Sequence, residues 1–283
     1  MEIKIIGVVG CGAMGAGIVQ VTAQAGYQVV VSEVNDDLLK RGLGIIDTAL
    51  SKDVSKQKIT QFEKEVIQSR IKGTTDMRDF ASCDLIVEAV VENMDLKKRV
   101  FGDLDKICPP HTILASNTSC LSILDIAMST SRPEKVMGIH FFNPVPVMKL
   151  VELVKTIITG EDTFEIARMY SERVGKTVVV TRDTPGFIVN RLMVPQLLNA
   201  VRMLEQGIAT KEDIDNAIKL GLNHPMGPFA LIDLIGVDVV CFIARAIYEE
   251  TKDSQFVIPT LLQKMLTAKW LGRKTGKGFY EYK

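Results

Sequence analysis

Between Lys4 and Glu33 the chain runs through an apolar segment, a glycine-rich hexapeptide, a stretch of small residues, a second apolar segment and a carboxylate. Very few folds accommodate that succession. Ile5, Ile6, Val8 and Val9 lack polar alternation, the mark of a parallel strand buried on both faces. The strand passes directly into Gly10-Cys11-Gly12-Ala13-Met14-Gly15. In such a turn Gly10 allows the tight bend, Gly12 lets a pyrophosphate approach the backbone, and Gly15 lets the next helix pack closely on the sheet. The helix then presents unpaired N–H groups and a positive dipole end to an anion. Gly17, Ala23 and Ala25 keep it slim, Gly26 ends it, and Tyr27 to Val31 form a second strand leading to Glu33. A carboxylate there accepts both hydrogen bonds of an adenosine ribose diol. A ligand-free βαβ corner would leave Gly12 without a reason, so the segment reads as a dinucleotide site. Glu33 also repels a 2′-phosphate, and no arginine stands among Val34, Asn35, Asp36 and Asp37. NAD is therefore expected over NADP, with Lys40 and Arg41 one helical turn on to soften the preference.

At 283 residues the chain has room for about two domains. Its 34 basic and 34 acidic residues cancel, which argues against nucleic acid or a membrane surface held by bulk charge. The first strand starts almost at the N-terminus, and no later run approaches a membrane span, so the expected address is the cytoplasm. Five scattered cysteines, Cys11, Cys83, Cys108, Cys120 and Cys241, show no paired spacing for zinc or a redox dithiol. They read as reduced packing residues, Cys120 included, although it follows a candidate site serine.

Asp36 to Leu50 is helical in pattern, and Ser51 to Arg70 continues it in a lysine-rich style with Lys52, Lys56 and Lys58 near its start. Such a cluster serves as a solvated face or as phosphate contacts for an anionic substrate. Further strands are expected from Asp84 toward Glu92, at Thr112–Ala115, Val136–Phe142, Met148–Val154 and Thr177–Thr181, with helices at Leu96–Leu104, Ser122–Met128 and Thr163–Val174. In an open parallel sheet ligands lie beyond the carboxyl ends of the strands, so Glu92, Ser116, Asn117, Ser119, His140 and Asn143 fall on the ligand side. After Asp183-Thr184-Pro185-Gly186 the pattern becomes helical: Phe187–Gln206, kinked at Pro195, then Lys211–Leu220, Pro228–Glu250 and Pro259–Leu271. A glycine- and lysine-rich tail closes the chain. The fold class is α/β: a Rossmann-type, largely parallel sheet domain over residues 1–182, followed by a smaller all-α domain over residues 183–283.

Only three histidines are present. His111 follows two prolines at the amino end of a strand and reads as a surface residue. His224 lies in a turn between helices and reads as capping or packing. His140 stands at the ligand end of a strand, where it is either a neutral core residue or a base. An alcohol oxidation needs a proton acceptor at the hydroxyl while a hydride leaves the same carbon, and imidazole with a nicotinamide meets both needs. A carboxylate on the second imidazole nitrogen improves the base. Glu152, on the next strand-like run, is placed to be that carboxylate, or else an ordinary ion-paired or solvated side chain.

Gly10-Cys-Gly-Ala-Met-Gly, Ser116-Asn-Thr-Ser, Gly138-Ile-His-Phe-Phe-Asn-Pro, Thr184-Pro-Gly-Phe-Ile-Val-Asn-Arg and His224-Pro-Met-Gly-Pro, in that order, resemble the 3-hydroxyacyl-CoA dehydrogenase family over essentially the whole chain. The resemblance is nearest to its bacterial short-chain members, which act on 3-hydroxybutyryl-CoA and acetoacetyl-CoA. It implies His140 as base and Glu152 as its partner, with Ser119 and Asn190 placing the reacting oxygen and the thioester carbonyl. It implies NAD contacts from Glu92, Lys97, Ser119, Asn143 and Lys274, CoA phosphate contacts from Lys52 and Lys56, and no metal. It further implies a cleft that closes about the segment near Arg182, and a homodimer or higher homo-oligomer formed through the helical domain. A longer-chain 3-hydroxyacyl-CoA dehydrogenase of fatty acid β-oxidation and a non-catalytic NAD-binding structural relative are the competing readings; the intact set Ser119, His140, Glu152 and Asn190 speaks against the second.

Overall fold

The computed structural model describes residues 3–282. Two compact units meet in sequence between Asp183 and Thr184. The first is built on an eight-stranded sheet in the order β3-β2-β1-β4-β5-β6-β7-β8, with strands β1 (Ile5–Val9), β2 (Gln28–Ser32), β3 (Ile71–Thr74), β4 (Leu85–Glu88), β5 (Ile113–Ser116), β6 (Val136–Phe141), β7 (Leu150–Lys155) and β8 (Thr177–Arg182). All neighbours run parallel except β6 and β7, which are antiparallel. Every residue of β4, β5 and β6 is buried, which is why these strands are apolar apart from Glu88, Ser116 and His140 toward their carboxyl ends. The order reverses between β1 and β4, the place where a doubly wound sheet opens a ligand crevice at its carboxyl edge.

Helices α1 (Ala13–Gln24), α2 (Asp36–Ser55), α3 (Gln61–Ser69), α4 (Met94–Ile107), α5 (Ile123–Ala127) and α6 (Glu161–Arg173) connect the strands. Their starts are written locally. Asn35 accepts the Leu38 N–H at 2.9 Å, Asn93 accepts the Leu96 N–H at 2.9 Å, and Thr60 with Glu63 forms a capping box. The core joins Ile6, Val8, Ile18, Val29, Val87, Ile113, Ile139 and Leu153 between sheet and helices.

The second unit consists of α7 (Val189–Glu205), α8 (Lys211–Gly221), α9 (Pro228–Ile235), α10 (Val237–Thr251) and α11 (Thr260–Thr267) around Leu197, Leu198, Phe229, Ile232, Ala244, Ile247 and Phe256. Its tail is tied by two buried carboxylates: Asp215 accepts the Tyr280 hydroxyl at 3.0 Å, and Asp233 takes three donors. Asp233 accepts the Phe279 N–H, the Tyr280 N–H and the Tyr282 hydroxyl, each at 2.9 Å.

Four local expectations change. Strand β3 was hidden because Ile71-Lys72-Gly73-Thr74 sits at a sheet edge, where burial imposes no apolar run. The helix expected through Arg70 stops at Ser55 and resumes at Gln61, with Gln57 at φ 56° between the two pieces. The single helix expected over 228–250 divides at Gly236, whose φ of +107° no right-handed helix contains. His224 is exposed, and the start of α9 is served instead by Asp215, which receives the Phe229 and Ala230 N–H groups at 2.8 and 3.1 Å.

Candidate active site

The glycine turn occupies the crevice between β1 and β4. Gly10 takes φ +93°, and a Cβ on it would lie 2.8 Å from the Ala89 carbonyl oxygen at the end of β4. A Cβ on Gly15 would fall on the Gly10 carbonyl oxygen, whereas one on Gly12 would meet nothing within 4 Å. The cradle is therefore closed toward the protein at Gly10 and Gly15 and open at Gly12, as the approach of a pyrophosphate requires. Gly12 is also the N-cap of α1 and offers no side-chain cap, so the first-turn N–H groups of Ala13, Met14 and Gly15 keep their anion-binding capacity. Glu33 reaches back to this loop: its carboxylate accepts the Cys11 N–H at 2.7 Å and the Val34 N–H at 3.1 Å. These residues fit a dinucleotide with a ribose diol at Glu33. The Cys11 thiol is buried beside that carboxylate and is pushed up to about 12, which keeps it protonated.

Along the same carboxyl edge, β6 and β7 bring the expected acid–base pair together. Their antiparallel register sets His140 directly opposite Glu152. His140 Nδ1 and Glu152 Oε2 are 2.7 Å apart, with 5% of the histidine and 0% of the glutamate exposed. The Phe142 ring packs on the imidazole at 4.5 Å. Two strands and a half-buried ring thus fix the orientation of the histidine. Phe141 N–H donates to Asn117 Oδ1 at 2.8 Å, tying the loop after β5 to the histidine strand.

That loop carries Ser119, whose N–H donates to Glu92 Oε1 at 2.9 Å, and Thr118, whose hydroxyl donates to the same oxygen. Lys97 lies 3.3 Å from Glu92 Oε2 and 2.6 Å from Glu88 Oε1, and only 1% of its side chain is exposed. The Lys97 ammonium thus supports two carboxylates and has almost no surface of its own. Glu88 is a buried residue of this edge that sequence reasoning passed over. A carboxylate inside Leu85-Ile86-Val87-Glu88-Ala89-Val90 was its only signal, since an acid in an otherwise apolar strand must find partners. Asn143 is exposed just beyond β6, and Lys52 and Lys56 are exposed at the end of α2, one turn apart. In the helical unit, Asn190 is buried in the first turn of α7, and Lys274 pairs with Asp238 at 2.6 Å. Cys120 is buried, and desolvation with the nearby Glu92 carboxylate pushes its thiol above the ordinary cysteine range, which leaves it no nucleophilic role at neutral pH. Among the described residues no helix is long and apolar enough to cross a membrane, and no cluster of side chains is suited to hold a metal ion.

A doubly wound sheet with an open glycine cradle, a carboxylate just beyond β2 and a braced imidazole at its carboxyl edge defines an NAD-dependent dehydrogenase. Residues 5–184 match the family model for the 3-hydroxyacyl-CoA dehydrogenase NAD binding domain, and residues 186–282 match the model for the C-terminal domain of the same enzymes. A 3-hydroxybutyryl-CoA dehydrogenase of Clostridioides difficile is 47% identical over 277 residues, covering 98% of this chain and 99% of that one. The mitochondrial hydroxyacyl-coenzyme A dehydrogenase of Rattus norvegicus is 45% identical across 99% of this chain and 92% of its own. The crystal structure of (S)-3-hydroxybutyryl-CoA dehydrogenase from Ralstonia eutropha superposes with a TM-score of 0.97 at 39% identity, with both chains fully covered. The chain belongs to the 3-hydroxyacyl-CoA dehydrogenase family.

Proposed function

We propose that this enzyme interconverts 3-hydroxybutyryl-CoA and acetoacetyl-CoA with NAD(H), using His140 as general base and acid. The observation that carries the mechanism is the buried His140–Glu152 pair at 2.7 Å on facing register positions. Glu152 accepts a hydrogen bond from Nδ1, which sets the tautomer and leaves the basic lone pair on Nε2. Bound NAD supplies the hydride acceptor for alcohol oxidation and, when reduced, the donor for the reverse reaction. In oxidation the C3 hydrogen departs with its electron pair while Nε2 takes the hydroxyl proton, so the alcohol becomes a ketone and His140 a cation. Glu152 offsets that charge inside the protein, where water cannot. Ser119 directs its hydroxyl at the reacting oxygen from a loop pinned through its own N–H, and Asn190 serves the thioester carbonyl. Lys52 and Lys56 present two exposed ammonium groups, one helical turn apart, to the CoA phosphates. Exposed apolar side chains of the helical unit, among them Leu192, Ile208, Leu220 and Leu222, suit contact with a second copy. Five free thiols, all buried, suit the reducing cytoplasm.

The test is a spectrophotometric assay of purified protein with acetoacetyl-CoA, longer 3-ketoacyl-CoA thioesters and free acetoacetate, each with NADH and with NADPH. Turnover that needs the CoA portion, favours the four-carbon chain and favours NADH is the expected result. A higher kcat/KM for longer chains would make it a long-chain enzyme, and absence of turnover with every thioester would make it a structural relative. Equal or better activity with NADPH would remove the role given to Glu33.

A further inference from the structure

The carboxyl ends of β4 and β5 are joined by a polar network that the mechanism above does not use. Glu88, the last residue of β4, is fully buried. Its Oε1 accepts the Val90 N–H at 2.7 Å and the Lys97 ammonium at 2.6 Å, and its Oε2 accepts the Ser116 hydroxyl at 2.7 Å. Lys97 then reaches Glu92 at 3.3 Å, and Glu92 holds the Ser119 N–H and the Thr118 hydroxyl. Ser116 closes the circuit by accepting the Thr118 N–H at 3.3 Å.

We propose that Glu88 is a positioning residue: through Lys97 it holds Glu92 in place, and so fixes the backbone from which Ser119 addresses the substrate. This inference rests on the role given to Ser119 above.

Two features set the arrangement apart from ordinary strand packing. The first is charge. Two carboxylates share one ammonium, and the surplus negative charge is met by neutral donors: the Val90 and Ser119 N–H groups, the Ser116 and Thr118 hydroxyls and the Cys120 thiol. An apolar residue at position 88 would fill the strand end without this demand, and replacing a buried ion pair by apolar residues is often neutral or stabilising. The second is reach. The contacts cross from β4 to its following loop, to α4, and to the loop after β5. The same β4 end supplies Ala89, whose carbonyl stands against Gly10. One buried carboxylate thereby ties the edge of the glycine cradle to the serine loop. A displacement of Ser119 by a fraction of an ångström suffices to slow a reaction that depends on alignment.

Three variants separate positioning from stability. Glu88→Gln keeps the shape but strands the Lys97 ammonium against an amide. The double variant Glu88→Gln/Lys97→Met removes both charges and so removes the stranded one. Ser116→Ala deletes one tie with no change of charge. For Glu88→Gln, kcat for acetoacetyl-CoA reduction at saturating NADH is expected to fall about tenfold or more, while KM for acetoacetyl-CoA stays within about threefold. In the double variant the melting temperature should recover from its value in Glu88→Gln, and kcat should remain low because Glu92 has lost its tether. Ser116→Ala should fold normally and lose a few-fold in kcat. If kcat returns to the wild-type value together with the melting temperature, Glu88 only stabilises the sheet and the proposal is wrong. Hydrogen exchange gives a readout independent of activity. Glu88→Gln should speed exchange at the amides of Ser119 to Leu121, and unchanged exchange there overturns the proposal even if the wild-type protein turns over no CoA thioester.

Discussion

Replacing Glu152 by glutamine leaves the size and the hydrogen-bonding reach of the side chain in place and takes away its charge. At the observed 2.7 Å separation, a full imidazolium–carboxylate attraction amounts to about 6 kcal/mol at an effective dielectric constant of about 20. With proton transfer to His140 roughly half complete in the transition state, about 3 kcal/mol of that attraction is developed there, which corresponds to about a hundredfold in rate. The loss should appear in kcat rather than KM, because neutral His140 in the ground state still finds a hydrogen-bond partner in the amide oxygen. The assay is the initial rate of NADH formation at saturating 3-hydroxybutyryl-CoA and NAD, with NADH binding measured separately to count intact sites. An amide that instead turns its NH2 toward Nδ1 would force the wrong tautomer and deepen the loss. Glu152→Gln with kcat within about threefold of the parent and normal NADH binding would refute the reasoning, since a fully buried carboxylate at this distance has no other way to be irrelevant to the charge on His140.

Two further outcomes follow from the glycine turn and the thiols. Gly12→Ala should fold with an unchanged melting temperature, because its Cβ enters open space, yet should bind NADH at least about tenfold more weakly; Gly15→Ala should lose stability instead, because its Cβ falls on the Gly10 carbonyl, and melting curves with NADH titrations separate the two. The buried thiols Cys11 and Cys83, each pushed up to about 12, and Cys108 and Cys241, each pushed up to about 11, stay protonated at pH 8. A thiolate-specific reagent should therefore leave the native enzyme unlabelled and active at that pH and label every cysteine after denaturation; rapid labelling at Cys120 with loss of activity would contradict the packing role given to it.

The parts of this fold that were legible in the sequence are those where one local constraint acts alone. Ile5 to Val9 cannot be apolar throughout unless both faces are covered, and the glycines that follow have no use outside a tight turn beside a helix start. The helix start at Thr60 was passed over although its capping box acts within three residues, because the lysine-rich helical pattern runs on through it. Strand β3 was not readable, because an edge strand is defined by its neighbour β2 rather than by its own composition. The break at Gly236 was missed because a single glycine in an apolar helix pattern is tolerated as often as it interrupts, and only the φ of +107° decides.

For the site, residue types and order alone determined that an imidazole at the end of one strand and a carboxylate on the next were available, and that a dinucleotide turn stood at the start. Only the tertiary structure decided that the reversal from parallel to antiparallel pairing at β6 and β7 sets His140 and Glu152 face to face. It also decided that Lys97 turns inward to Glu88 rather than outward. Strand register and the burial of a charge depend on residues far apart in the chain, and no local pattern carries that information.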